Sequence, residues 1–113
     1  MKDNAVFSVA KHLDHEEVWY SVVIDPRALP VLAKAIANEG RGADGHAVEA
    51  VLIALSEIGD AAWADELIFD AEAEACTVRC RRRAPLVHLL TRLERRAADP
   101  ARLRRMVRSL PPE

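Results

Sequence analysis

The amino-acid sequence predicts a mainly α fold, in which a small bundle of four to five helices follows an N-terminal β-hairpin. Bulky β-branched and aromatic residues concentrate before Asp25, and such residues favour strands. From Asp25 onward the apolar residues recur with the 3.6-residue period of an amphipathic helix, and proline and glycine stand where helices begin and end. The length of 113 residues, half of them hydrophobic, predicts one domain over residues 1–113 with a single apolar core.

The hairpin is predicted at the N-terminal end of the chain. Residues 5–11 and 17–24 are the candidate strands, and the polar stretch 12–16 between them has a length typical of a hairpin connection. A helix over residues 16–23 is the competing interpretation, because its apolar residues would then share one face.

The first helix is predicted from its cap residues, and the second is predicted from its apolar content. Asp25 is a candidate N-cap with Pro26 at the first helical position, and the helix then runs to about residue 38. Pro30 leaves a second start open, because a proline inside a helix removes a hydrogen bond. The helix predicted over residues 46–58 has the fewest polar residues and is therefore expected to be the most buried element.

The remaining sequence predicts three further helices. A helix from residue 60 to about residue 75 would bury Trp63 and present an anionic outer face. The pattern of residues 76–84 is ambiguous. Pro85 opens the next helix, and Asp99 followed by a proline repeats the cap-and-proline start for a last helix.

The middle of the chain resembles a HEAT-like helical repeat. The segment DPRALPVLAKAI, residues 25–36, is similar to the second helix of one such unit. The segment HAVEAVLIALSEIGD, residues 46–60, is similar to the first helix of the next unit with its Gly-Asp corner. The resemblance covers residues 25–75 and implies antiparallel helical pairs, stacked in a right-handed array and used as a binding surface without catalysis.

Acidic and basic residues are segregated along the chain. Residues 1–75 hold 15 Asp and Glu against 5 Lys and Arg, whereas residues 76–113 hold 11 Arg and 3 acidic residues. The helical part 25–75 is thus acidic and the part 76–113 is Arg-rich, and each attracts surfaces of the opposite charge. We therefore expect a small non-catalytic protein that binds another protein or copies of itself, as an adaptor or inhibitor. The candidate partner-binding residues are Asp65, Glu66 and Asp70 on the acidic helix and Arg92, Arg95, Arg96, Arg102, Arg105 and Arg108 on the last two helices.

Nucleic acid is the alternative partner, because arginine binds phosphate groups through two parallel hydrogen bonds. Residues 76–113 contain no aromatic side chain on which bases stack, which disfavours recognition of specific single-stranded sequences. A further interpretation is that the arginines neutralise the acidic half of the same molecule or of a neighbouring copy.

The sequence contains no specific catalytic motif, so we expect neither an enzyme nor a cofactor. The glycine-containing stretch 40–45 lacks the lysine and the preceding strand of a phosphate-binding loop. His12 and His15 stand close together without further ligands, and Cys76 and Cys80 lack the Cys-x-x-Cys spacing of structural zinc sites. We expect no metal site from either pair.

The cysteine content bears on the compartment. Two cysteines without a larger even set indicate a reducing environment. The sequence has no uncharged apolar run of about 18 residues and no signal-peptide core after Met1, which predicts a cytoplasmic protein without a membrane partner. The 13 Arg, 3 Lys and 20 Ala are typical of a GC-rich bacterial or phage genome.

Overall fold

The computed structural model describes residues 7–59 and 61–111. A four-stranded antiparallel sheet and four α-helices form an α+β fold in this part of the chain. The predicted fold class, a mainly α bundle or a set of HEAT-like helical pairs, is therefore wrong. The difference arises because two strands replace the helix predicted over residues 60–75 and the ambiguous stretch after it.

An N-terminal hairpin is present with boundaries that differ from the predicted ones. Strand β1 (Ala10–Asp14) pairs with β2 (Glu17–Ile24), and His15 and Glu16 form the turn with φ angles of 51° and 68°. Two consecutive positive φ angles are typical of a type I′ turn, whose twist matches that of the flanking strands. The first strand therefore lies later in the chain than the predicted 5–11, which begins outside the described residues. The competing helical interpretation of this stretch is wrong.

Two helices follow the hairpin. A short 3-10 helix (Pro26–Ala28) precedes helix α1 (Pro30–Asn38), so the second of the two predicted starts is the real one. A proline has no N–H to donate into a helix that began earlier, which explains the break. Helix α2 (Gly45–Ser56) begins after Asp44, whose carboxylate accepts a hydrogen bond from the N–H of Ala47 at 2.9 Å.

The segment predicted as an acidic helix contains no α-helix in its described residues. A 3-10 helix (Ala62–Glu66) is followed by strand β3 (Ile68–Ala71), which pairs with β4 (Cys76–Cys80). Buried and exposed residues alternate along β4, and its pairing with neighbouring strands overrides the helical spacing of the acidic residues. The three acidic candidate residues of this segment therefore do not share one helix face.

The C-terminal part of the chain is helical. Helix α3 (Arg83–Ala97) carries Pro85 in its first turn, where a missing N–H is tolerated. Helix α4 (Pro100–Arg108) begins after Asp99, whose carboxylate accepts a hydrogen bond from the backbone N–H of Arg102 at 3.3 Å. No helix within residues 7–59 and 61–111 is long and apolar enough to cross a lipid bilayer.

The strands lie in the order β1-β2-β4-β3, and each neighbouring pair is antiparallel. In the central pair, Val22 lies opposite Val78 and Ile24 lies opposite Cys76, and all four residues are buried. Helices α2 and α3 pack against this face of the sheet, and α1 packs against α4. The apolar core therefore lies on one side of the sheet.

Candidate functional site

The face of the sheet that points away from the helices is open. Side chains alternate along a strand, so Ser21 and Val23 share this open face with Arg79 and Thr77, their partners on β4. Val23 is 53% exposed, although valine is a residue type that proteins usually bury. Helices α2 and α3 pack on the other face, so Val23 and Arg79 are exposed here, whereas Trp19, Ser21 and Thr77 are half-buried.

Trp19 lies on the open face toward the hairpin end of β2, opposite His12 on β1. The guanidinium carbon of Arg79 is 5.3 Å from the centroid of the Trp19 ring, and that of Arg81 is 5.0 Å away. A cation within about 6 Å of an aromatic ring is attracted to the face of that ring. Arg81 also pairs with the Glu17 carboxylate at 3.6 Å, whereas Arg79 forms no ion pair with a described residue. The surface thus presents an aromatic ring beside a cation that has no ion-pair partner among the described residues.

A groove of about 340 Å³ runs beside Trp19. Within it, Nε2 of His12 and Oγ of Ser21 are 2.6 Å apart and form a hydrogen bond between β1 and β2. Thr77 and Arg79 contribute to the lining from β4. Side chains from three strands therefore form one concave surface.

Exposed apolar side chains flank this surface. Ile68 on β3 lies opposite Arg79 and is 41% exposed on the open face. At the hairpin end, Leu13 and its cross-strand neighbour Val18 are both exposed on the other face. The hairpin and the open face therefore present several exposed apolar side chains.

No local pattern in the sequence identifies the open face. The signal is the alternation of Cys76, Val78 and Cys80, which identifies β4 and places Arg79 on the opposite face from the cysteines. That alternation still does not show that β4 pairs with β2, because the pairing joins residues far apart in sequence. The proximity of Arg79 to Trp19 is therefore a tertiary property.

The acidic candidate residues lie on two elements. Glu66 accepts two hydrogen bonds from the guanidinium of Arg82, at 2.7 and 2.6 Å, which hold the pKa of its carboxyl below its usual value. Asp65 is exposed on the same 3-10 helix. Asp70 is exposed on β3 opposite Thr77, at the border of the open face. The structure does not bring these three residues together.

Two of the candidate arginines, Arg92 and Arg108, form hydrogen bonds to oxygen atoms of earlier elements. Nη1 of Arg92 donates to two carbonyl oxygens at the C-terminal end of α2, at 2.7 and 2.8 Å, and its guanidinium carbon lies 4.8 Å from the ring centroid of Trp63. Arg108 donates to the Glu39 carboxylate at 3.1 Å, and this hydrogen bond is the main cause that lowers the pKa of Glu39. Both arginines fasten a C-terminal helix to an earlier element.

The other candidate arginines surround the junction of α3 and α4. Arg95, Arg102 and Arg105 are exposed, and none of them forms an ion pair with a described residue. Arg96 is half-buried beside the Sδ atom of Met106, at 3.8 Å from Nη1. Burial, followed by the charge of Arg102, lowers the pKa of the Arg96 guanidinium.

The two cysteines are buried free thiols on β4. Burial is the main cause that raises the pKa of the Cys76 thiol to about 12, and the charge of Glu49 adds to it. Cys76 is therefore a protonated, unreactive thiol at neutral pH. Within the described residues, no group of three His, Cys, Asp or Glu side chains is arranged to hold a metal ion.

Comparisons with protein-family models, with curated proteins and with solved structures find no match to this chain. Because nothing matches, the resemblance to HEAT-like repeats is neither supported nor refuted by these comparisons and stays a prediction. The functional interpretation accordingly depends on the geometry of the chain itself.

Proposed function

We propose that this chain is a small non-catalytic protein-binding module, an adaptor or inhibitor, that docks a partner protein on the open face of its sheet. The observation that carries the proposal is Trp19 on an uncovered sheet face with Arg79 and Arg81 against its ring. Tryptophan and arginine are among the residues most enriched at the energetic centres of protein interfaces. Val23 and Ile68 add apolar area around this centre.

The side chains of the open face define the chemistry of the partner. An apolar partner side chain would pack against Trp19 and Val23, and a partner carboxylate would pair with Arg79. The carboxylate is required because a guanidinium that loses its water without gaining a partner costs free energy. The proposed partner is therefore a protein with an acidic and partly apolar surface. A second copy of this chain is one such protein, since its residues 1–75 are rich in Asp and Glu.

The proposal assigns no reaction and no cofactor to the chain. It places the protein in the cytoplasm, because a reducing compartment is where two unpaired cysteines are most common. Binding to a partner protein is then the whole of its proposed activity.

Nucleic acid is the second candidate partner. Arg95, Arg102 and Arg105 are exposed on α3 and α4 without an ion-pair partner among the described residues, which favours contacts with backbone phosphates. These two helices carry no aromatic side chain for base stacking. The two candidate functions thus use different arginines.

Two charge reversals separate the candidates. Arg79→Glu alters the open face and Arg105→Glu alters α4, and both change the net charge of an exposed position equally. The wild-type chain is immobilised and incubated with a nuclease-treated extract of cells whose genome encodes it. A protein that it retains is purified, and the affinity of this protein for each variant is then measured by titration. We expect Arg79→Glu to weaken binding at least about tenfold, which is about 1.4 kcal/mol, and Arg105→Glu to change it less than about twofold.

Further measurements complete this experiment. Unchanged affinity of the Arg79→Glu variant for the retained protein would contradict the proposal. Gel shifts with mixed DNA and RNA at two salt concentrations test the second candidate, which predicts a steep loss with salt and a loss in the Arg105→Glu variant. Sedimentation velocity of the wild-type and Arg79→Glu chains shows whether a second copy is the partner.

A further inference from the structure

A second concave site lies at the junction of α2, α3 and α4 and shares no lining residue with the open sheet face. It is a groove of about 240 Å³. Its lining consists of Leu55, Ile58, Arg92, Arg95, Arg96 and Arg102. Four of these six residues are arginines, and no carboxylate contributes to the described lining.

The local sequence explains why these arginines converge. Arg95 and Arg96 follow Arg92 by three and four residues on α3, which is the spacing that places side chains on one helix face. The chain turns sharply after Ala97, and Arg102 near the start of α4 returns toward the end of α3. The corner between two helices therefore brings together positive charges that a single straight helix would spread along its length.

Arg92 is held in place at the inner end of the groove. Its Nη1 atom uses both hydrogens on the carbonyl oxygens of Leu55, at 2.7 Å, and Ile58, at 2.8 Å. The ring of Trp63 supports the guanidinium at 4.8 Å. The Nε and Nη2 donors of Arg92 have no acceptor among the described residues. A guanidinium fixed in this way loses little conformational entropy when it binds an anion.

The charges of the groove repel one another. Arg96 is half-buried, and its guanidinium pKa is lowered first by burial and then by the charge of Arg102, while Asp99 opposes this effect. Like charges held close together at a partly desolvated position cost free energy. A bound anion of multiple charge removes that repulsion.

We propose that this groove binds a phosphate group of a small ligand, with Arg95, Arg96 and Arg102 as the main ligand contacts and Arg92 as the fixed inner donor. A phosphate monoester carries a charge of roughly −1.5 to −2 at pH 7 and three acceptor oxygens, which suits several guanidinium forks better than a single carboxylate does. The groove lining contains no aromatic residue, so recognition is limited to the phosphate. This site is independent of the protein-binding proposal for the sheet.

Pyrophosphate binding to a pair of matched double variants tests the proposal. Arg95→Gln with Arg102→Gln removes two exposed arginines of the groove, and Arg83→Gln with Arg105→Gln removes two exposed arginines outside it. Isothermal titration calorimetry at 50 mM and 150 mM salt measures affinity and stoichiometry for pyrophosphate, for inorganic phosphate and for a mixed-sequence oligonucleotide. Circular dichroism verifies that both variants are folded.

We expect saturable binding of one pyrophosphate per chain, tighter than the binding of inorganic phosphate. The groove variant should lose at least about tenfold in affinity, because charge-assisted hydrogen bonds are removed, and the control variant should stay within about twofold. Absence of saturable pyrophosphate binding, or equal losses in the two variants, would overturn the proposal. An oligonucleotide that binds more tightly than pyrophosphate and is weakened equally in both variants would also overturn it, since it would indicate diffuse attraction to a polyanion.

Discussion

An arginine in a sequence suggests binding to an anion, but the residues around it in the fold decide whether it binds a partner or a group of the same molecule. Arg92 is a candidate partner-binding residue by sequence, and in the fold its guanidinium binds the carbonyl oxygens of Leu55 and Ile58. The last carbonyl groups of a helix lack partners within the helix. Arg92 adds a donor where α2 ends, and the Leu55 carbonyl also accepts from the N–H of Ile58 at 3.4 Å. Arg95 is three residues away and makes no such contact with a described residue.

Substitution of Arg92 tests this assignment at the residue level. Arg92→Gln should lower the free energy of unfolding by about 1.5–3 kcal/mol, the usual contribution of hydrogen bonds from a charged group. Arg95→Gln is the matched control and should change it by less than about 0.5 kcal/mol. Urea denaturation followed by circular dichroism measures both values, and equal stabilities of the two variants would show that Arg92 does not fasten α3 to α2.

At the scale of elements, the turn between β3 and β4 lies very close to the start of α2. The N–H of Gly45, the first residue of α2, donates to the carbonyl oxygen of Ala73 in the β3–β4 turn at 3.3 Å. A Cβ atom at residue 45 would overlap the backbone carbonyl groups of Glu72 and Ala75. Glycine is therefore required here because the turn approaches the helix backbone too closely for any side chain.

Alanine substitutions at two glycines test this close approach. Gly45→Ala should destabilise the fold by about 1–3 kcal/mol or more, as overpacking against rigid backbone does. Gly42→Ala is the control, because a Cβ there meets nothing closer than Asp44 Oδ2 at 3.8 Å. Thermal denaturation of both variants measures the difference. Equal melting temperatures would mean that the turn moves freely away from α2.

At the scale of the whole molecule, charges that are segregated along the chain meet in space. Three ion pairs join residues 1–75 to the Arg-rich part 76–113. They are Glu17 with Arg81, Glu39 with Arg108 and Glu66 with Arg82. Arg41 reinforces this closure by donating to the carbonyl oxygens of Leu110 and Pro111, at 2.9 and 2.7 Å. Part of the arginine content therefore neutralises the same molecule, and the exposed arginines of α3 and α4 stay available for anions.

The ion pairs predict how stability changes in acid. Hydrogen bonds from Arg108 and Arg82 are the main causes that lower the pKa values of Glu39 and Glu66 from the ordinary 4.5. A carboxyl with a lowered pKa stabilises the fold above its unfolded pKa, and this contribution is lost as the pH falls through the folded value. The urea midpoint should therefore fall between pH 5 and pH 3, most steeply below 4.5.

Two double variants isolate this contribution. Glu39→Gln with Glu66→Gln should flatten the decline between pH 5 and pH 3. Glu57→Gln with Glu94→Gln removes two exposed carboxylates without an ion-pair partner among the described residues and should retain the decline of the wild-type chain. The same pH dependence in all three proteins would exclude the two ion pairs as its cause.

Local signals in the sequence located several elements correctly. Asp99 stands before α4, and its carboxylate accepts a hydrogen bond from the N–H of Arg102 in the first turn. Pro30 marks the start of α1, and the apolar helix α2 is among the most buried elements. These predictions succeeded because capping, proline geometry and helical periodicity act over a few neighbouring residues.

The sequence by itself determined the starts of α1 and α4, the presence of a hairpin near the N-terminus and the opposite charges of the two parts of the chain. The tertiary structure decided that Cys76–Cys80 is a central strand, that Trp19 meets Arg79 on an open face, and which arginines are paired. The reason is that strand pairing and ion pairs join residues far apart in the chain, as Glu39 and Arg108 are with a separation of 69. No local pattern specifies such a partner, because it is selected by the packing of the whole fold.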